Sequence, residues 1–147
     1  MRTLHSNSIE DTKKIAADVL HKCSSTNHVL LLSGDLGSGK TAFVKKLAEH
    51  MGVADTVTSP TFIIMSVYNT DHSQFKRLVH ADMYRFESFT PGQVKELGLQ
   101  EYLNDPESLV VIEWPEKLIE PPVGAGLDFV VTGETSRDIA VTGLGDA

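Results

Sequence analysis

Thiols, positive charge and long apolar runs are all scarce in this sequence, and each shortage removes a class of explanation. Cys23 is the single cysteine among 147 residues, so no internal disulfide can form and no thiol pair can hold zinc. The six histidines, His5, His21, His28, His50, His72 and His80, are scattered without metal-ligand spacing, and a structural metal is not expected. Lysine and arginine number 13 against 20 aspartates and glutamates, a formal net charge of −7. A chain that binds nucleic-acid backbone by itself needs a net basic surface to displace counterions. No DNA partner is therefore expected, while RNA contacts made inside a complex remain compatible with this charge. No stretch approaches the ~18 consecutive apolar residues of a membrane span. Met1-Arg2-Thr3-Leu4-His5 also lacks the apolar run of a signal peptide, so a cytoplasmic protein with no membrane partner is the expectation.

What is present reads as an ordinary globular domain. The chain is 41% hydrophobic and 22% charged, and its length suits one domain spanning residues 1–147. Ser8 and Asp11 fit a capping box ahead of Ile15, Ala16, Val19, Leu20 and Cys23, which share one helical face over residues 9–23. Cys23 then sits on the apolar stripe as a buried structural thiol. Val29-Leu30-Leu31-Leu32 and Leu109-Val110-Val111-Ile112 are short, fully apolar runs that suit strands covered on both faces. Between the first run and Gly52, residues 42–51 read as a helix. Residues 62–68 and 78–81 read as a hairpin, Thr90-Pro91 starts a helix that Gly98 interrupts, and Gly124-Ala125-Gly126 marks a loop. Residues 127–132 and 138–142 read as two closing strands. Strand–helix alternation followed by strand pairing predicts an α/β fold with a mixed, mainly parallel central sheet flanked by helices.

Chemistry concentrates in a few segments. Gly34-Asp35-Leu36-Gly37-Ser38-Gly39-Lys40-Thr41 matches G-x-x-x-x-G-K-S/T between a predicted strand and a predicted helix, the context that a phosphate-binding P-loop requires. Glycines let backbone N–H groups converge on a phosphate, and the helix N-terminus adds partial positive charge. Lys40 then reaches the β- and γ-phosphates of ATP while Thr41 ligates Mg2+. A P-loop needs a further carboxylate at the end of a neighbouring strand, and Glu113 follows an apolar strand in that manner, although Asp is commoner there. Asp82 ends another strand, where an acid can orient water or a metal ligand. Arg85 suits a phosphate contact or a surface ion pair. Thr58-Ser59-Pro60-Thr61-Phe62 is a hydroxyl-rich loop where γ-phosphate sensors sit in P-loop proteins. Trp114 suits either the sheet edge or the nucleotide.

Taken together, the P-loop, Thr58-Ser59-Pro60-Thr61-Phe62, His80-Ala81-Asp82-Met83-Tyr84-Arg85, Glu96-Leu97-Gly98-Leu99 and Val111-Ile112-Glu113-Trp114-Pro115-Glu116 resemble the TsaE (YjeE) family over roughly residues 6–142. The resemblance implies a P-loop ATPase that works with the TsaB and TsaD proteins in making threonylcarbamoyladenosine on tRNA, met only indirectly through the complex, without itself transferring the carbamoyl group. Residue by residue, it implies phosphate binding by Leu36, Gly37, Ser38, Gly39, Lys40 and Thr41, magnesium held by Thr41 and Glu113, and a part in hydrolysis for Asp82. Weaker analogy puts Arg137 and the segment around Ser6 to Glu10 near the nucleotide base. Ala42 stands where the family often carries a second hydroxyl residue.

Two other classes compete. A small P-loop metabolite kinase usually needs several arginines and a water-excluding lid. This chain has Arg2, Arg77, Arg85 and Arg137 and no arginine-rich lid segment. A GTP-dependent switch needs a D-x-x-G or N-K-x-D motif downstream, and neither occurs.

Overall fold

A computed structural model describes residues 2–54, 57, 65–84, 88 and 90–144. The Thr58–Phe62 loop and Arg85 lie outside the described residues, as does the start of the first predicted hairpin strand. In chain order the elements are β1 (Arg2–Ser6), α1 (Ile9–Lys22), β2 (Val29–Gly34), α2 (Lys40–His50), β3 (Met65–Asn69) and β4 (Arg77–Asp82). There follow α3 (Pro91–Leu97), α4 (Leu99–Leu103), β5 (Ser108–Glu113), a 3-10 turn (Pro115–Lys117), β6 (Ala125–Val131) and β7 (Arg137–Thr142). The seven strands form one sheet in the order β1-β7-β6-β2-β5-β4-β3. Its four central strands, β6, β2, β5 and β4, pair in parallel, while β1, β7 and β3 add antiparallel margins.

Hydrophobic patterning explains this layout. Every residue of β5 is buried, as a central strand covered on both faces demands. Leu30, Leu32, Leu109, Val111, Leu78 and Phe129 pack under α1 and α2 with Val19, Phe43 and Leu47. The alternate residues Val79, Ala81, Val110 and Ile112 pack under α3 and α4 with Val94 and Leu99. Cys23 is buried in the first of these layers, where its Sγ–H donates to Val19 O at 3.2 Å and burial pushes the thiol up to about 12.

Helix ends follow the sequence signals with small displacements. Ser8 Oγ accepts from Asp11 N at 3.1 Å, but Asp11 reaches back to the N–H of Asn7 at 2.9 Å, one residue before the cap. Thr90 and Gln93 form a complete capping box at α3, and Gly98 at φ 89° separates α3 from α4. One strand is added to the reading and one reading needs correction. Arg2–Ser6 is a strand, supported by antiparallel pairing to β7 rather than by its own nearly polar sequence. Ala125 and Gly126, read as loop, are already in β6, where small residues sit beside Leu30 and Leu31 of β2.

Candidate functional site

The site lies at the carboxyl ends of the parallel strands. β2 ends at Gly34, whose φ of 143° no ordinary side chain adopts readily. A Cβ there would also meet Phe129 O at 2.6 Å. Ser38 N donates to Asp35 O at 3.1 Å, so the following residues close into a tight turn. Gly39, at φ 105°, turns the chain into α2 while lying flat against the Arg137 guanidinium.

The two long helices begin differently. α1 has a side-chain cap at Ser8 and acids in its first turn, Glu10 and Asp11. α2 has neither a side-chain cap nor an acid in its first turn. Its leading N–H groups and the positive end of its dipole thus face the loop with no side-chain cap and no acid of the helix's own first turn. Such an end is built to take a phosphate.

Lys40, the first residue of α2, is buried; its Nζ donates to Gly34 O and lies 3.8 Å from the centroid of the Trp114 ring. Burial lowers its ammonium from the ordinary lysine value, against the opposing pull of Glu113, Glu116, Asp82 and Asp35. Trp114 owes its position to strained backbone: at φ 60° and ψ 51° it is the one non-glycine residue with positive φ among the described residues. Its N–H donates to Leu32 O at 3.1 Å, and its ring packs on Tyr84 with centroids 5.1 Å apart. Trp114 thus packs against the core layer under α3 and α4 and also covers the P-loop lysine.

Glu113, the last residue of β5, pairs in register with Leu32 of β2 on one side and Asp82 of β4 on the other. Both its carboxylate oxygens lie 3.4 Å from Thr41 Oγ1, although only 2% of the residue is exposed. His80 Nε2 meets Glu113 Oε2 at 2.5 Å, and His80 itself is fully buried. Asp82 caps the turn beyond β4 by accepting from Tyr84 N at 3.0 Å. The fold therefore brings together Lys40, Thr41, Asp82 and Glu113.

The remaining expected residues line the loop. Leu36 points its side chain outward at 65% exposure, leaving its backbone as the part that serves the site. Ser38 is buried, and its Oγ has no partner among the described residues. Arg137 begins β7 and donates from Nη1 to Ser38 O at 3.3 Å; it pairs in register with Ser6 of β1. The Ser6 end of the first segment thus adjoins the P-loop wall, with Ser6 Oγ held 2.8 Å from Thr12 Oγ1. Ala42 is half-buried on α2.

His80 is the site residue that sequence reasoning passed over, because it was weighed only as a metal ligand. The usable signal was alternation: His80 stands two residues before Asp82 and so projects from the same face of β4. No group of three or more His, Cys, Asp or Glu arranged for a metal occurs among the described residues. Thr41 and Glu113 instead supply oxygen donors, which suit a hard divalent cation that takes its other ligands from phosphate and water. An uncapped helix end, an unpartnered buried serine hydroxyl, a lysine and this oxygen pair together fit a magnesium–polyphosphate.

Strand, glycine-rich loop and lysine-led helix beside a parallel strand ending in a carboxylate define a P-loop NTPase-like domain. Comparison with known proteins narrows the class. The family model "Threonylcarbamoyl adenosine biosynthesis protein TsaE" matches residues 6–139, and the chain belongs to the TsaE family. The tRNA threonylcarbamoyladenosine biosynthesis protein TsaE of Bacillus subtilis is 35% identical over 139 residues, 93% of this chain and 82% of that protein. The TsaE of Streptomyces coelicolor is 36% identical over 133 residues, 86% of this chain and 87% of its own. The TsaE of Rickettsia felis is 40% identical over 121 residues, 80% of this chain and 66% of that protein, which is the longer of the two. The crystal structure of Bacillus subtilis YdiB superposes with a TM-score of 0.69 at 30% identity, covering 99% of this chain and 86% of that one. No helix among the described residues is long and apolar enough to cross a membrane.

Proposed function

We propose that this protein binds ATP with Mg2+ at the P-loop and hydrolyses it in support of a TsaB–TsaD complex that modifies tRNA. The observation carrying this reading is the convergence of Lys40, Thr41, Asp82 and Glu113 on the open N-terminus of α2. Backbone N–H groups of residues 36–41 cradle the phosphates, and Lys40 exchanges Gly34 O and the Trp114 face for β- and γ-phosphate oxygens. Those phosphates offer full negative charges where the lysine now has a carbonyl dipole and a ring quadrupole. Thr41 and Glu113 hold the metal, which neutralises charge developing on the phosphates during transfer. Asp82, beyond the metal side, orients the attacking water.

Turnover by the isolated chain is slow. Fast phosphoryl transfer usually needs an added arginine at the γ-phosphate, and Arg137 is engaged with the loop's own Ser38 carbonyl. A partner surface supplies water exclusion and charge, and ATP in turn strengthens partner binding by the same coupling free energy. The test is co-purification with the TsaB and TsaD proteins of the same organism, with ATP, ADP or no nucleotide, alongside steady-state ATPase rates. Nucleotide-dependent association and partner-raised turnover are expected. A fast monomer indifferent to both partners would overturn the proposal, and phosphate appearing on a small acceptor would make the protein a kinase instead.

A further inference from the structure

His80 has the form of a dedicated support for Glu113. A buried carboxylate is costly unless donors satisfy it. Among the described residues, Glu113 receives one short side-chain hydrogen bond, from His80 Nε2 at 2.5 Å. Thr41 Oγ1, at 3.4 Å from both oxygens, sits at the outer limit of hydrogen bonding and does not choose between them. His80 therefore decides which carboxylate oxygen is engaged. Its other nitrogen, Nδ1, is buried with no partner among the described residues. Among the described residues the imidazole thus has one polar tie, to Glu113. Donation from Nε2 leaves Nδ1 as the ring's acceptor, which tolerates isolation better than a buried N–H would.

The surroundings sharpen the point. His80 stands in β4 between Leu78 and Asp82 on the face that carries the α1–α2 core, where Leu78, Leu109 and Val111 are all apolar. An aliphatic side chain would complete that layer, but it would leave the buried Glu113 without its short donor. The ring is also placed by sheet register, with His80 opposite Val111 and Asp82 opposite Glu113. That is a rigid mounting for an orienting group.

We propose that His80 is a positioning residue. Its Nε2–H binds Glu113 Oε2 and so leaves Oε1 as the carboxylate oxygen that takes the metal beside Thr41. This rests on the proposed role of Thr41 and Glu113 in holding Mg2+, and the experiment separates the two. Binding of a non-hydrolysable ATP analogue to the full chain is measured by calorimetry over a Mg2+ titration, with thermal stability in parallel. His80→Leu fills the space without a donor and is expected to weaken Mg2+ in the nucleotide complex by about 10–100-fold. Binding without Mg2+ stays within a few fold of wild type, whereas the melting temperature falls because the buried Glu113 loses its short donor. His80→Gln, whose amide nitrogen can take the place of Nε2, restores Mg2+ dependence to within a few fold, a rescue that a merely structural role would not give. Adding His80→Leu to Glu113→Gln produces no further loss of Mg2+ dependence, because His80 acts only through that carboxylate. If His80→Leu does not fold, His80→Asn replaces it, since its shorter amide cannot reach and the same loss is expected. Wild-type Mg2+ dependence in His80→Leu or His80→Asn, alongside its loss in Glu113→Gln, overturns the positioning role and leaves the metal reading intact. Wild-type dependence in Glu113→Gln overturns both.

Discussion

The two ends of the β4–β5 pair treat charge in opposite ways. At the amino end, where Arg77 lies opposite Ser108, the Arg77 guanidinium binds Asp105, Ser108 Oγ donates to Asp105 Oδ2 at 2.8 Å, and Glu107 N donates to Asp105 Oδ1 at 3.0 Å. The Arg77 and Asp105 charges there answer each other. At the carboxyl end, where Asp82 lies opposite Glu113, the Glu113 carboxylate is buried against a histidine whose other nitrogen has no partner among the described residues, a distant threonine hydroxyl and a lysine resting on a ring face. Two strands in one register thus carry a self-contained network at one end and an under-satisfied one at the other. Native structures leave few buried polar groups unmet, and those they leave cluster where a ligand completes the set. The contrast says which end is scaffold and which is site.

The largest test of that contrast strikes the carboxyl end. Lys40→Ala should weaken Mg-ATP binding by about 3 kcal/mol or more, roughly two orders of magnitude, because it removes a charge-assisted contact from a desolvated site. Loss of tRNA modification in cells lacking the endogenous protein is the accompanying phenotype. Full complementation would place the chemistry elsewhere.

The two acids at this end should then part company. Glu113→Gln is expected to remove the metal dependence of both binding and turnover. Asp82→Asn should lose hydrolysis while keeping nucleotide affinity within about tenfold, or about 1.4 kcal/mol. Measuring affinity and turnover in both variants checks the division, and equal binding losses would contradict it.

The amino end should answer only in stability. The Arg77 guanidinium, with help from Ser108 and the Glu107 N–H, lowers the Asp105 carboxyl from 3.8 to about 2. A depressed folded-state value means that the stabilisation is complete above the unfolded pKa and disappears as pH falls through the folded one. Asp105→Asn should therefore cost about 1 kcal/mol or less at neutral pH, given the partial exposure of the pair. It should also flatten the denaturation profile between pH 3.8 and pH 2 while leaving nucleotide binding untouched.

The smallest effect concerns the core beneath both ends. Burial holds the Cys23 thiol up to about 12, so alkylation near pH 8 should be negligible in the native state and should track unfolding when denaturant is added.

How much of this was readable follows from the range over which each signal acts. The P-loop, the two apolar strands, the helix caps at Ser8 and Thr90 and the break at Gly98 are local: backbone conformation and hydrophobic period impose them within a few residues. Glu113 and Asp82 were legible as candidates because each ends a run whose burial leaves its last residue at a sheet edge. β1 was not legible, since Arg2–Ser6 has little apolar pattern and is strand only because β7 offers it a ladder. The strained Trp114 was also hidden, because its placement over Lys40 depends on a hydrogen bond to β2. The His80–Glu113 pair spans 33 residues and depends on parallel register between two strands, a relation that no local pattern encodes. By itself the sequence picked out most of the candidate site residues and the segments that bury. Only the tertiary structure decided which donor answers which carboxylate, because that choice is made by sheet register and burial.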